Sequence, residues 1–261
     1  MLSWSINLFR IRGIQLAIHS TFFLLLAWRG YEGWTSEGAF GFQEAVLITL
    51  AIFVCVVLHE LGHSFTGMHF GMHVSRILLM PIGGMAQFDE IPKIPRQELL
   101  ITIAGPAVNA VIAAVLFGLA LLKPAFLVSG PVLINNLFWD LLYANVAMLV
   151  LNLLPIFPMD GGRILRALLA YRLPYLRATY WASIIGKVLA VIAAAGWIAY
   201  GIYHNDGDVL LPAVLFLFIF RVNHQEYKMV QRNEQQEAYW REVAARVRIE
   251  PPLPKDPPIL L

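Results

Sequence analysis

Long apolar runs, separated by short polar or glycine-rich intervals, recur along the whole chain. The first is Ile18 to Trp28, which needs neighbouring residues to complete a span. Gln43 to Gly67, Leu99 to Leu122, Val132 to Leu154, Tyr180 to Tyr203 and Val209 to Phe220 follow. A helix crosses the hydrocarbon core of a bilayer in ~20 apolar residues. The pattern therefore predicts about six spans. The first run is not read as a cleaved signal peptide, because Trp28-Arg29-Gly30-Tyr31 follows it rather than a small-x-small cleavage site. Gly30 to Gln43 is expected to be a loop, with Tyr31, Trp34 and Phe40 at the membrane interface.

Between these runs the periodicity changes. Phe9-Arg10-Ile11-Arg12 and Ile14-Gln15-Leu16 alternate with period two, as strands do. Val74 to Met80 and Gly84 to Phe88 flank the turn Pro81-Ile82-Gly83-Gly84 and predict a hairpin. Arg221 to Arg248 is charged and helical in pattern, with Tyr239, Val243 and Val247 on one face. Pro251, Pro252, Pro254, Pro257 and Pro258 predict an extended, disordered tail. The expected fold is an all-α polytopic membrane protein with about six transmembrane helices and small membrane-associated β-strands. Its expected organisation is a core over 1–221, a cytoplasmic helical extension over 222–250 and a Pro-rich tail over 251–261.

Composition agrees with this class. Of 261 residues, 59% are hydrophobic and only 14% charged, against about 25% charged in soluble domains. The net charge of +2 matters less than its distribution. With six spans, one side of the membrane receives Arg10, Arg12, Arg76, Lys93, Arg96, Arg163, Arg166, Arg172, Arg177 and the basic C-terminal segment. The other side receives only Arg29 and Lys123. The positive-inside rule then puts both termini in the cytoplasm of a multi-pass plasma-membrane protein. Cys55 is the one cysteine, which excludes an intramolecular disulfide and reads as a small core residue.

The chemistry sits in Ile52 to Thr66, where His59, Glu60 and His63 form H-E-x-x-H in an apolar setting. Histidines four apart lie one turn apart on one helix face and can hold one metal. The adjacent carboxylate can serve as general base toward a metal-held water. In a soluble helix this spacing can be chance, but ionisable groups in a membrane helix are expensive and functional by default. A catalytic zinc takes three protein ligands. Asp89, Glu90 and Glu98 read as a solvent-facing loop, and Asp140 lies toward the far side of its span. Asp160, at the break Leu154-Pro155-Ile156-Phe157-Pro158-Met159-Asp160-Gly161-Gly162, suits best on depth and chemistry. An Asp before Gly-Gly-Arg would equally serve as a helix cap.

H-E-L-G-H together with N-L-L-P-I-F-P-M-D-G resembles the site-2 protease family of intramembrane zinc metalloproteases. Pro81-Ile82-Gly83-Gly84-Met85-Ala86 and Gly105-Pro106-Ala107-Val108-Asn109 are similar to motifs of its compact branch, which includes a sporulation protease that processes pro-sigma-K. The resemblance covers residues 10–220. It implies one zinc per chain on His59, His63 and Asp160, with Glu60 as base. It also implies a role for Asn152 in holding the substrate backbone. The expected substrate is a single-span membrane protein cut near the cytoplasmic side of the bilayer, in regulated intramembrane proteolysis. A regulatory membrane partner fits this expectation; nucleic acid does not. Two other readings remain open. A metal transporter would use the same ligands for transit. A di-iron desaturase or hydroxylase would recruit His69 and His73 as a second cluster, although seven histidines are few for such a site.

Overall fold

The computed structural model describes residues 4–89, 92–124, 127, 129–204 and 210–249. The chain opens with strands β1 (Ser5–Ile11) and β2 (Ile14–His19), then α1 (Thr21–His69), β3 (Val74–Met80) and β4 (Gly83–Phe88). Helices α2 (Pro95–Leu121), α3 (Val132–Leu153), α4 (Asp160–Ala170), α5 (Tyr175–His204) and α6 (Leu210–Ile249) follow. Helices α1, α2, α3 and α5 are long and apolar enough to cross a membrane.

Helix α1 holds two arms. Helical geometry breaks at Glu37 (φ −136°) and at Gly38, whose φ of 62° and ψ of −140° suit only glycine. The arms then pack on each other through glycines. A Cβ on Gly33 would stand 2.1 Å from the carbonyl oxygen of Gly41, and one on Gly30 would meet the Phe42 ring at 2.6 Å. The expected loop over Gly30 to Gln43 is thus replaced by helix on both sides of a two-residue break. The glycines that read as loop punctuation are contact points, where a missing side chain lets backbones touch while their hydrogen bonds stay within each helix. The first two predicted spans are these two arms.

The sheet runs in the order β1-β2-β3-β4. Arg12 (φ 48°) and Gly13 (φ 92°) close a two-residue hairpin between β1 and β2. β2 and β3 are parallel, with Leu16 opposite Ile77. A parallel pair needs a long crossover, and all of α1 supplies it. β3 and β4 form the predicted antiparallel hairpin, with Met80 opposite Gly83. Ile14, Leu16, Val74, Ile77 and Leu79 of the sheet bury against Phe22, Phe53 and Leu61 of α1. This packing locks the sheet to α1 and brings β4 alongside the H-E-x-x-H turn.

The bundle shows the polarity expected in lipid. Leu24, Val111, Val115, Val188 and Ile192 face outward, while Glu98, Asn109, Asn145 and Arg166 are fully buried. With no water at that depth, polar groups turn inward to find partners. Glu98 corrects the expectation of a solvent-facing position. It lies in the first turn of α2, wholly buried, and its Oε1 accepts from Arg166 of α4 at 2.6 and 2.9 Å. Arg166 also donates to Glu226 of α6 at 2.6 Å. Helix α6 is continuous through residues 221–222. Its 40 residues measure about 60 Å, roughly twice the bilayer core. Outside the bundle, Lys93 pairs with Glu237 of α6 and holds its carboxyl below the usual range. Glu90, the start of the sixth span at Val209 and the Pro-rich tail lie outside the described residues.

Candidate metal centre

His59 and His63 sit one turn apart on the second arm of α1 with their rings edge to face, centroids 4.7 Å apart. Their Nε2 atoms are 3.0 Å apart. Asp160 brings Oδ2 to 3.1 Å from His63 Nε2 and 3.3 Å from His59 Nε2. All three side chains are buried. Among the described residues these three form the group of His, Cys, Asp and Glu side chains placed to hold a metal. Asp160 opens α4, yet no side chain caps that helix, whose preceding residue is Met159. The carboxylate lies on the imidazoles, so the cap reading is set aside.

The outer nitrogens define what the inner ones can do. Asn109 of α2 donates its amide to Asn145 Oδ1 at 2.9 Å, which leaves its own Oδ1 toward His59 Nδ1 at 2.5 Å. An amide oxygen only accepts, so His59 Nδ1 carries the proton and Nε2 keeps its lone pair. The carbonyl of Ile101 does the same for His63 Nδ1 at 2.8 Å. The two Nε2 atoms and a carboxylate oxygen therefore converge in a buried site as the atoms free to ligate a metal. Such a cluster of acceptors repels itself unless a cation lies among them. A tetrahedral zinc with bonds of about 2.0–2.1 Å separates its ligand atoms by about 3.3 Å, and the observed spacings match. The donor set fits zinc.

Close backbone packing holds the cradle. A Cβ on Gly105 of α2 would lie 2.2 Å from His63 Nε2 and 2.7 Å from His59 Nε2, so α2 can seal the site only as glycine. A Cβ on Gly161 would meet the carbonyl of Leu154 at 2.1 Å, which shows how tightly α4 starts against the irregular 154–159 stretch. Glu60, on the same turn as His59, is held by β4. Its Oε2 accepts from Ala86 N of β4 at 3.0 Å, and Gly84 leaves room for its side chain.

The other candidates lie apart from this centre. His69 ends α1 exposed, and His73 pairs with Asp89 at 2.7 Å on the surface. Cys55 is buried beside Asn145 Nδ2 at 3.3 Å. Asn152 is half-buried in the last turn of α3, while Asn109 contacts His59. The sequence reading assigned no role to Asn109, Asn145 or Gly105 individually. The signal for the first two was an uncharged amide deep in an apolar span, which needs a partner there.

Comparison with known proteins gives the chain a family. The sequence pattern of peptidase family M50 matches residues 47–129 and 128–193. Zinc metalloprotease MJ0392 of Methanocaldococcus jannaschii is 39% identical over 234 residues, covering 88% of this chain and 62% of that protein. Stage IV sporulation protein FB of Bacillus subtilis is 32% identical over 139 residues, covering 53% of this chain and 44% of that protein. The chain thus spans less than two thirds of the length of these curated relatives. The solved site-2 protease from Methanocaldococcus jannaschii superposes with a TM-score of 0.57 at 37% identity, over 86% of this chain and 95% of that one.

Proposed function

Because the chain belongs to peptidase family M50, the site-2 protease family, we propose that it is an intramembrane zinc metalloendopeptidase that cuts membrane-tethered substrates in regulated intramembrane proteolysis. The observation that carries this reading is the buried convergence of His59, His63 and Asp160, with Glu60 on the same helical turn. His59 Nε2, His63 Nε2 and the Asp160 carboxylate would hold the metal. When bound, zinc supplies a Lewis acid that lowers the pKa of water toward 7 and polarises a carbonyl.

The remaining work falls to the protein. Glu60 takes the proton of the attacking water and returns it to the departing amine. Its present hydrogen bond to Ala86 N keeps it oriented toward β4. A substrate helix hides its carbonyls, so it must unwind before attack. β4 is an outer strand of the sheet beside Glu60, and an extended substrate pairs there by strand addition. Asn152 donates to the substrate backbone near the reacting carbonyl. The irregular 155–159 stretch and the start of α4 line a route for water. Cleavage occurs near the cytoplasmic side of the plasma membrane, with both termini cytoplasmic, as the Arg and Lys asymmetry supports. The substrate in this reading is a single-span membrane protein.

The test is cleavage of a single-span model substrate by detergent-purified protein, with zinc content measured on each variant. Glu60→Gln is expected to keep zinc and lower cleavage by roughly 10²–10⁴-fold. Asp160→Asn is expected to weaken both. Normal cleavage by Glu60→Gln would reject the base assignment. Zinc-dependent ion flux in vesicles, without cleavage by any variant, would favour a transporter.

A further inference from the structure

Asp160 is presented by a stretch with no regular partner. Residues 154–159 belong to neither helix nor strand, so their peptide groups need other partners. In an apolar bundle each unpaired group is costly. Local turns take Leu154 N, Ile156 N and Met159 N, and Pro155 and Pro158 have no N–H, so Phe157 N is the donor left over, and one residue of α6 serves it. Asn223, wholly buried, accepts from Phe157 N through Oδ1 at 3.2 Å. Its Nδ2 donates to Phe157 O at 2.8 Å and to Ile219 O at 2.9 Å. The side-chain amide thus pairs with both sides of one residue's backbone, three residues before Asp160.

One further contact acts on the same segment, and another residue seats Asn223 itself. The Arg166 guanidinium lies 5.2 Å over the Phe157 ring and is itself held by Glu226, one turn along α6 from Asn223. On the opposite side, Gly186 of α5 leaves the space Asn223 occupies. A Cβ there would stand 2.0 Å from Asn223 Oδ1. This glycine makes room for the amide.

We propose that Asn223 is a positioning residue for the metal centre: it clamps the Phe157 backbone and thereby sets where Asp160 meets His59 and His63. The proposal rests on the reading of Asp160 as a metal ligand. It makes α6, the helix that continues to Ile249, a structural support of the active site.

The experiment compares zinc retention against a competing chelator, together with the melting temperature of the zinc-free protein, in the full-length chain. Asn223→Ala removes the clamp directly. Gly186→Ala displaces the amide by one added methyl while leaving Asn223 in place, so it tests the clamp from the opposite partner. Ser183→Ala serves as control, because Ser183 Oγ donates to Asn223 O at 2.6 Å and joins α5 to α6 without touching Phe157. The expected result is zinc held about 10–100-fold more weakly in both Asn223→Ala and Gly186→Ala, as for other residues behind metal ligands. Ser183→Ala should hold zinc as the parent does, even where its melting temperature falls. Wild-type retention in Asn223→Ala or Gly186→Ala, or equal loss in Ser183→Ala, would overturn the proposal. Asp160→Asn, run alongside, separates the two levels. Undiminished zinc there would remove Asp160 from the ligand set, and the clamp's purpose with it.

Discussion

The chain carries the spacing His-x3-His twice, ten residues apart, at His59/His63 and at His69/His73. The first pair is buried with nitrogens 3.0 Å apart. The second is split: His69 ends α1, while His73 follows the turn at Gly71 (φ 82°) and pairs with Asp89 in solvent. Ligand spacing has meaning only while the helix that supports it continues. It also needs the rest of the chain to bring a third group. Asp160, 97 residues away from His63, returns to the first pair. Burial then makes the difference energetic. A buried cluster of acceptors needs a cation to offset its self-repulsion, whereas a solvent-exposed pair of side chains contributes little.

The sharpest way to break this comparison is to delete one histidine from each pair. His63→Ala should lose zinc and bring cleavage to background, and His69→Ala should keep both; metal analysis of the purified proteins decides it. Equal zinc loss from the two would mean that the pairs work together. The next largest effect is expected at Gly105. Its added methyl in Gly105→Ala must displace the His63 ring, and misplacement of that order lowers turnover by roughly 10²-fold. Measured zinc and cleavage near parental values would show that α2 can move away. Asn109→Ala should weaken zinc binding about 10–100-fold by freeing the His59 tautomer. Chelator competition reads this directly, and an unchanged affinity would assign tautomer control elsewhere. The smallest effect is expected for His73→Ala, with zinc content and melting temperature both unchanged. A drop in either would give the outer pair a role that its surface position does not suggest.

Much of this arrangement was legible in advance. The spans within α1, α2, α3 and α5, the hairpin at Val74 to Phe88 and the pair His59/His63 follow from local periodicity, and that periodicity survives folding. Asp160 was identified among several acids by its depth and by the glycines after it. Where the reading failed, it failed on long-range partners. Glu98 resembled a loop acid because Arg166, 68 residues away, is invisible from its neighbours. Gly30 and Gly33 looked like loop residues because close backbone contact between two helix arms leaves the same local composition as a turn. Asn223 looked like one polar residue in a charged helix.

The sequence by itself determined that this chain is a polytopic membrane protein with a histidine pair and a carboxylate on one helical turn. Those properties depend on hydrophobicity and on the 3.6-residue period, both local quantities. The tertiary structure alone decided which distant groups complete the site. It placed Asp160 on the imidazoles, Asn109 behind His59, Gly105 against both rings and Asn223 on the Phe157 backbone. The physical reason is that a buried polar group must be satisfied by whichever partner the packing brings to it. In an apolar bundle, that partner comes most often from another helix.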